Sequence, residues 1–495
     1  MKNITENAAV PEKTPSNGDN SSSAPGIGFH VPGHIGARFF SERDCLDLIR
    51  SDTTELSYTG DLHVPSGPVA ESLSNSASVF GSEYSIFLCT GSTNGIRVML
   101  SAVADTSSVI LLPRSVHFSV VWTLAIIGCS YLFWPVDIPG LTDPSPVAIP
   151  DANRLNQLLS DHPEVTDVFV TSPDYYGQCA DLSQIASIAH DHGCRLLVDE
   201  AHGAHFAFGG ESYPKTAMSS GADICVQSLH KTLPALTPSA VIHVSSGADR
   251  NVRVSREKIL ERIGIFETSS PSFMIASSAN IAIQRLKKGG VEPFERAASL
   301  VRRLSDRLTG PFGLSAKGTE LPRRKDPLRM VLHTSETGYR APDVQKALEI
   351  HRIYAEFADL ERLVFLFSVL HEEKEYEALY QAIISIFSDP YKYGLSLIDH
   401  GKRADRSGMV YTRCPERVIS LREAVFSPQP LINVDLSEMA GKISARAIGL
   451  YPPGISLVWP GERVSDEIAD YLNHASESGL APIGLSDGQF VSIRK

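Results

Sequence analysis

CRLLVDEAHGAHF (Cys194–Phe206) and DICVQSLHKTLPALT (Asp223–Thr237) share one build: a short apolar run of strand type that breaks off at a polar group, Asp199 in the first and Lys231 in the second. Alone, neither residue says much. A lysine in a turn is ordinarily a solvated surface group, and an acid at a strand end is ordinarily a helix N-cap or a turn former. Their order along the chain carries more, because Lys231 closes the strand one step after Asp199. Two such strand ends can offer a carboxylate and an amine to opposite ends of one ligand.

The same rhythm extends on both sides. SIFLC (85–89) precedes the helix-like STNGIRVMLSAVA, SVILL (108–112) precedes HFSVVWTLAII, and DVFVTS (167–172) is followed by LSQIASIAHDHG. Strands alternating with amphipathic helices predict an α/β fold, a mostly parallel sheet covered by helices on both faces. Ligands of such sheets bind beyond the carboxyl ends of the strands. The polar clusters TGSTNG, RSVH, SPDYYGQ, DEAHGAH and SLHK all fall at such ends. After about residue 310 charged helical segments alternate with short strands, which predicts a smaller α+β domain. The expected division is a disordered, Ser/Asn/Gly/Pro-rich tail at 1–25, an arm at 26–60, a large domain at 61–310 and a small domain at 311–495.

The formal net charge of −12 argues against nucleic acid as a partner, since phosphate recognition needs clustered Lys and Arg. The seven cysteines are scattered, with no C-x-x-C pair, as expected of reduced thiols in a cytoplasmic protein. The N-terminus lacks a secretory pattern, and the apolar run Val120–Trp134 is too short to cross a bilayer. Gly128 within that run reads as a helix end before a strand.

An aldehyde cofactor such as pyridoxal phosphate needs a lysine for a Schiff base, a carboxylate to keep its pyridine nitrogen protonated, and a cradle for a dianionic phosphate. Lys231 and Asp199 answer the first two needs. TGSTNG answers the third: Gly91, Ser92 and Thr93 lead a strand into a helix whose N-terminus favours an anion, and no G-K-[ST] follows to suggest a nucleotide loop. Ser228 and His230 can add phosphate donors. His117 opens the helix after another strand end, where a ring can lie flat on the cofactor; it can equally be an ordinary helix-start histidine. His202 and His205 lack a third ligand at matching spacing, so no metal is expected.

Together these motifs resemble the Orn/Lys/Arg decarboxylases of the fold-type I pyridoxal-phosphate enzymes, in the short form without an N-terminal regulatory domain. The resemblance runs from HVPGHIGARFF (30–40) through DLHVPSGPV (61–69), FLCTGSTNG (87–95), PRSVHFSV (113–120), TSPDYYG (171–177), LLVDEAHGAHF (196–206), VQSLHKTLPALT (226–237) and ETSSPSF (267–273) to AGKISARAIGLYPPGISLVWPGE (440–462). It implies an aminotransferase-like large domain with a smaller α+β C-terminal domain. It implies Schiff-base formation at Lys231, pairing of Asp199 with the pyridinium, stacking of His117 on the ring and His202 near the phenolic oxygen. Ser92, Thr93, Ser228 and His230 would hold the phosphate. Thr268, Ser269 and Ser270 would reach a neighbouring subunit's cofactor, in a homodimer or larger homo-oligomer with sites at the subunit interface. His230 or Lys231 would return a proton to the substrate's Cα.

The implied activity is decarboxylation of a basic amino acid, arginine before lysine or ornithine, as in polyamine biosynthesis. The chain departs from the family's usual motifs at Ile35, Val64, Ile96 and Asp174, around the expected substrate mouth. Those departures keep an alternative open, in which the same cofactor serves oxidative deamination, hydroxylation or amino transfer. A cofactor-free homologue would require loss of the lysine or the aspartate, and both are present. A cationic side chain calls for an acid at the far end of the pocket. Asp174, Glu267, Glu356 and Glu462 are the candidates, each of a type that is more often structural.

Overall fold

Apolar strands buried on both faces build the centre of the molecule. The computed structural model describes residues 26–36, 38–135, 150–245, 254–316, 325–397, 413–426, 428–451 and 454–493, and the tail expected at 1–25 lies outside them. A short strand β1 (Ile27–Phe29) and the helices α1 (Glu42–Arg50) and α2 (Gly67–Phe80) come first, and the central sheet follows as β2 (Tyr84–Leu88), β3 (Val109–Pro113), β4 (Ser130–Trp134), β5 (Asp167–Thr171), β6 (Arg195–Asp199), β7 (Ile224–Ser228) and β8 (Ala240–Val244). Their spatial order is β2-β8-β7-β6-β5-β3-β4. Neighbours from β7 to β4 run parallel, while β8 lies antiparallel to both β2 and β7.

Alternation along β6 shows why the sheet needs helices on both sides. Leu196 and Val198 pack with Leu155, Leu159, Ile185 and Ala189, whereas Leu197 packs with Ile96, Val98, Val120 and Leu124. Successive strand residues face opposite ways, so α3 (Ser92–Val103) and α4 (Phe118–Ile127) cover one face and α5 (Ala152–Asp161) and α6 (Leu182–Asp191) the other. Gly128 ends α4 at φ +77°, and β4 begins two residues later, in line with its expected role. The strand β8 was not anticipated. Only the four-residue helix Leu229–Thr232 separates it from β7, too short to read as a covering helix, so a reading built on β/α alternation passes over it.

After α7 (Leu229–Thr232) and α8 (Arg256–Phe266), the helices α9 (Phe273–Gly289) and α10 (Glu292–Leu308) lead into the smaller C-terminal part. A three-stranded antiparallel sheet of Arg329–His333, Phe357–Ala358 and Arg362–Leu366 shares a core with α9 and α10. Two further three-stranded sheets and the helix Asp466–Glu477 form another core around Leu457, Val458, Leu472 and Phe490. The arm is fixed to this half, because β1 pairs in parallel with Ile353–Ala355.

Candidate active site

Register brings the polar strand ends together. Asp199 pairs with Thr171 on β5 and with Val226 on β7, so β5, β6 and β7 all terminate at one edge. There they border a cavity of about 250 Å³ whose walls include Gly91, Ser92, Thr93, His117, Asp199, His202, His230 and Lys231. Of the residues expected at the cofactor, the structure gathers these eight around one space. Ser228 stands just behind, its hydroxyl donating to Ser92 Oγ at 2.7 Å.

The cradle is open to an anion. Gly91, at φ +88°, turns the chain from β2 into α3, a helix start with no side-chain cap, so its first backbone N–H groups lack that partner. Gly95, one turn in, lets α3 lie on the sheet: a Cβ there would come within 2.5 Å of Val226 Cγ1. The Thr171 hydroxyl is buried at the cavity without a hydrogen-bond partner.

Burial sets the charge states. It raises the pKa of the Asp199 carboxyl, an effect opposed by Lys231 and by the Ala201 amide that donates to Oδ1 at 3.1 Å. It lowers the pKa of Lys231, against the pull of Asp199 and Glu356. The His117 ring is pushed down to about 4, by burial first and by Lys231 second. Its Nδ1 caps α4 by accepting from the Ser119 amide at 3.1 Å. His230 is likewise lowered to about 4 by burial, with Nδ1–H donating to Ser239 O at 2.9 Å. His202 Nε2 lies 3.1 Å from Lys231 Nζ, and His202 falls well below its ordinary range through burial and the neighbouring Lys231 and Arg329 charges.

The lysine turn is held from outside by the arm. The Gly33 amide donates to His230 O at 2.9 Å, and Ser368 Oγ donates to Gly33 O at 2.9 Å. A Cβ on Gly33 would meet Leu233 O at 2.8 Å, so only glycine allows this approach. From the other side, Tyr451 and Ile455 of the C-terminal part line the cavity, and the His117 backbone bridges to Ile455.

The four acids separate clearly. Glu462 forms a buried two-point pair with Arg114 and also accepts from the Trp459 amide at 2.7 Å. Asp174 Oδ1 accepts from the Tyr176 and Gln178 amides at 2.9 and 2.8 Å, shaping its own turn. Glu267 accepts from Thr90, whose hydroxyl also receives a bond from Asn94, under the cradle. Glu356 alone of the four adds to the field at Lys231, and its Oε2 accepts from the Val31 amide at 2.8 Å.

Three expected participants lie elsewhere. Thr268, Ser269 and Ser270 are exposed and do not line this cavity within their own chain. His205 turns away from His202 into a fully buried pair with Asp326 at 2.8 Å. Among the described residues no group of three His, Cys, Asp or Glu side chains could hold a metal ion. Two residues not singled out from the sequence complete the site: Tyr175, whose ring lies 5.8 Å from Lys231 Nζ, and Arg329, which donates to His202. Tyr175 sits inside a quoted motif. Arg329, in KDPLRM, carries no local signal, because its partners come from other parts of the chain.

The residues fit pyridoxal phosphate: an amine for the aldehyde, a carboxyl group for the ring nitrogen, and an uncapped helix start with hydroxyls for the phosphate. The wider comparisons agree. An arginine decarboxylase of Bacillus subtilis (strain 168) is 28% identical over 482 residues, covering 94% of this chain and 94% of that protein. The uncharacterized protein YaaO of the same strain is 31% identical over 452 residues, 90% of each. The lysine decarboxylase LdcF of Francisella novicida shares the fold with a TM-score of 0.75 at 17% identity, over 97% of this chain and 80% of that one. Lysine decarboxylase A of Pseudomonas aeruginosa does so at 0.73 and 20%, over 96% and 78%. These neighbours place the architecture in fold type I. The family model for the Orn/Lys/Arg decarboxylase major domain matches residues 21–303, that for the C-terminal domain matches residues 408–482, and the chain therefore belongs to the Orn/Lys/Arg decarboxylases, a family of pyridoxal-phosphate-dependent amino-acid decarboxylases.

Proposed function

We propose that this chain removes the α-carboxylate of a basic amino acid, arginine first and lysine or ornithine next, with pyridoxal phosphate held at Lys231. The observation that carries the reading is the one cavity onto which Lys231, Asp199, His117 and the uncapped start of α3 all open. The bound cofactor supplies an electron sink for the bond to the carboxylate.

The chain's own residues supply the rest. The amides at Ser92 and Thr93 and the hydroxyls of Ser92, Thr93 and Ser228 bind the phosphate. Asp199, buried at the end of β6, holds a proton on the ring nitrogen by opposite charge. His117, fixed by its bond to Ser119, keeps one ring face covered. His230, neutral at pH 7 and committed through Nδ1–H to Ser239 O, presents a lone pair at Nε2, which leaves Lys231 Nζ as the group that moves a proton to Cα. Of the four acids Asp174 lines the cavity, within its own turn, and Glu356 is the one whose charge acts at Lys231; on that ground Glu356 is the acid assigned to the distal cation.

The exposed Thr268, Ser269 and Ser270, beside the cradle-bound Glu267, support a homodimer in which each chain finishes the other's phosphate site. Seven scattered cysteines, five of them buried, fit a reducing, cytoplasmic setting, and an amine product fits polyamine biosynthesis. The deciding test offers arginine, lysine and ornithine with and without oxygen, following CO₂, amine, ammonia, peroxide and keto acid. Stoichiometric CO₂ and amine, indifferent to oxygen, are expected. Ammonia or keto acid without amine, or a requirement for O₂, would replace decarboxylation by the oxidative reading.

A further inference from the structure

Arg329 is buried, with 1% of its surface exposed, and its guanidinium donates in two directions: Nη1 to Tyr175 O at 2.6 Å and Nη2 to His202 Nδ1 at 3.0 Å. Behind it, Nε lies 4.0 Å from Asp326 Oδ2, and Asp326 Oδ1 accepts from the Leu328 amide at 2.9 Å and pairs with His205. A guanidinium has donors only and keeps its proton at any pH a protein survives. The lone pair of His202 must therefore sit on Nδ1, and the proton of the neutral ring on Nε2. That N–H faces Lys231 Nζ at 3.1 Å. An ammonium has no lone pair to receive it, whereas a neutral amine has one.

We infer that Arg329 is a positioning residue: by donating to His202 Nδ1 it holds the ring proton on Nε2, and that N–H donates to Lys231 as a neutral amine, the form able to attack a carbonyl. The inference rests on the reading of Lys231 as the Schiff-base lysine. It adds how the lysine is kept ready before any cofactor arrives. Other charges reach the same spot from every side: Asp199 at the end of β6 and Glu356 favour the ammonium, burial and Arg329 oppose it, and His117 and His230 are neutral neighbours. Tyr175, whose pKa burial raises, stays an uncharged ring beside them. Without Arg329 the His202 proton can move to Nδ1. Its Nε2 would then accept from an ammonium, and the lysine would change from acceptor to donor.

The test uses cofactor-free full-length protein and the pH dependence of acetic anhydride labelling, read by mass spectrometry at Lys231 against the exposed Lys258. In the unmutated protein Lys231 should titrate below Lys258. Arg329→Met should raise its apparent pKa, slowing labelling at pH 8 by about tenfold for each unit gained. Arg329→Lys, which restores a donor-only cation, should return it most of the way. An unmutated Lys231 that titrates with Lys258 overturns the inference without any variant, as does an Arg329→Met profile identical to the parent. A lysine variant as displaced as the methionine one also overturns it. The reading beneath is checked separately, by adding pyridoxal phosphate and borohydride to the unmutated protein. An adduct on a lysine other than Lys231 would sink that reading, while an adduct on Lys231 with unchanged labelling in Arg329→Met would sink only the inference.

Discussion

Two adjacent acids at the end of β6 open into opposite worlds. Asp199 faces the cavity with one named partner, the Ala201 amide, and a large open space beside it. Glu200 turns to the far side, where it accepts from the Ala217 amide at 2.8 Å and from Gln227 Nε2 at 2.7 Å. From Gln227 the chain of bonds continues to His243 at 3.2 Å, to Ser85 at 2.6 Å and to Ser82 at 2.9 Å. Both regions bury polar groups, yet only one closes them. Behind the sheet burial pushes Glu200 up to about 8 and His243 down to about 3, so the network is neutral at pH 7 and its partners are protein atoms. At the cavity, Asp199, Lys231 and the start of α3 keep bonding capacity unused. The open region should therefore govern turnover, and the closed one stability.

The largest break comes from Lys231→Ala. It removes the cavity's amine, and turnover should fall on the order of 10³-fold or more while the melting temperature holds. Steady-state CO₂ release beside a thermal scan checks both halves. Next, Asp199→Asn keeps the shape but cannot hold a proton on a ring nitrogen by charge. We expect a loss of about 10²- to 10³-fold in kcat in a soluble protein, the range for a preorganised electrostatic contact. Near-parental kcat would show that another group plays this part.

Glu356→Gln sharpens the comparison at Lys231, where this acid's charge is felt. If this acid meets the substrate's distal cation, the cost is that of a charged hydrogen bond, about 1.5–3 kcal/mol. That appears as roughly a 10- to 100-fold loss in kcat/KM, carried mainly by KM. An equal loss in kcat would point instead to its influence on Lys231.

How much of this contrast the sequence discloses depends on where a residue's partners lie. Asp199, Lys231 and Gly91–Thr93 are legible because each sits at the end of a strand, and strand ends converge in any parallel sheet. Period-two alternation also explains why Gln227 and Ser228, neighbours on β7, serve opposite faces. His205 is a different case. Its spacing from His202 leaves two roles open, and only the distant Asp326 decides. Arg329 is illegible for the same reason, and Glu356 stands in the sequence only as one of four candidate acids: both act on the Lys231 turn from the C-terminal half. The strand β8 escaped because it breaks the β/α rhythm that made the others visible.

On the closed side, Gln227→Leu leaves Glu200 Oε2 and His243 Nε2 each without the bond it had. An unsatisfied buried group costs about 1–3 kcal/mol, so a fall of several degrees in melting temperature is expected, with kcat per folded protein unchanged. A matching loss of kcat would mean that the network reaches through the sheet to Asp199.

The smallest effect tests the network's neutrality through pH. His243 sits near 3 in the folded chain because burial disfavours its charged form, against an ordinary 6.5 once unfolded. The unfolded chain therefore binds the extra proton as pH drops, and stability must fall with acidification, starting near 7 and continuing toward 3. From pH 7 to pH 6 this one ring accounts for about 0.7 kcal/mol. His243→Gln lowers stability at both pH values by breaking the bonds to Ser85 and Gln227. It cannot take up that proton, so its melting temperature should fall by about 1 °C less than the parent's between the two. The difference between the two drops isolates the titration from the lost bonds. Equal drops would mean that His243 carries a charge in the folded protein, and the region behind the sheet would no longer be the neutral counterpart of the cavity.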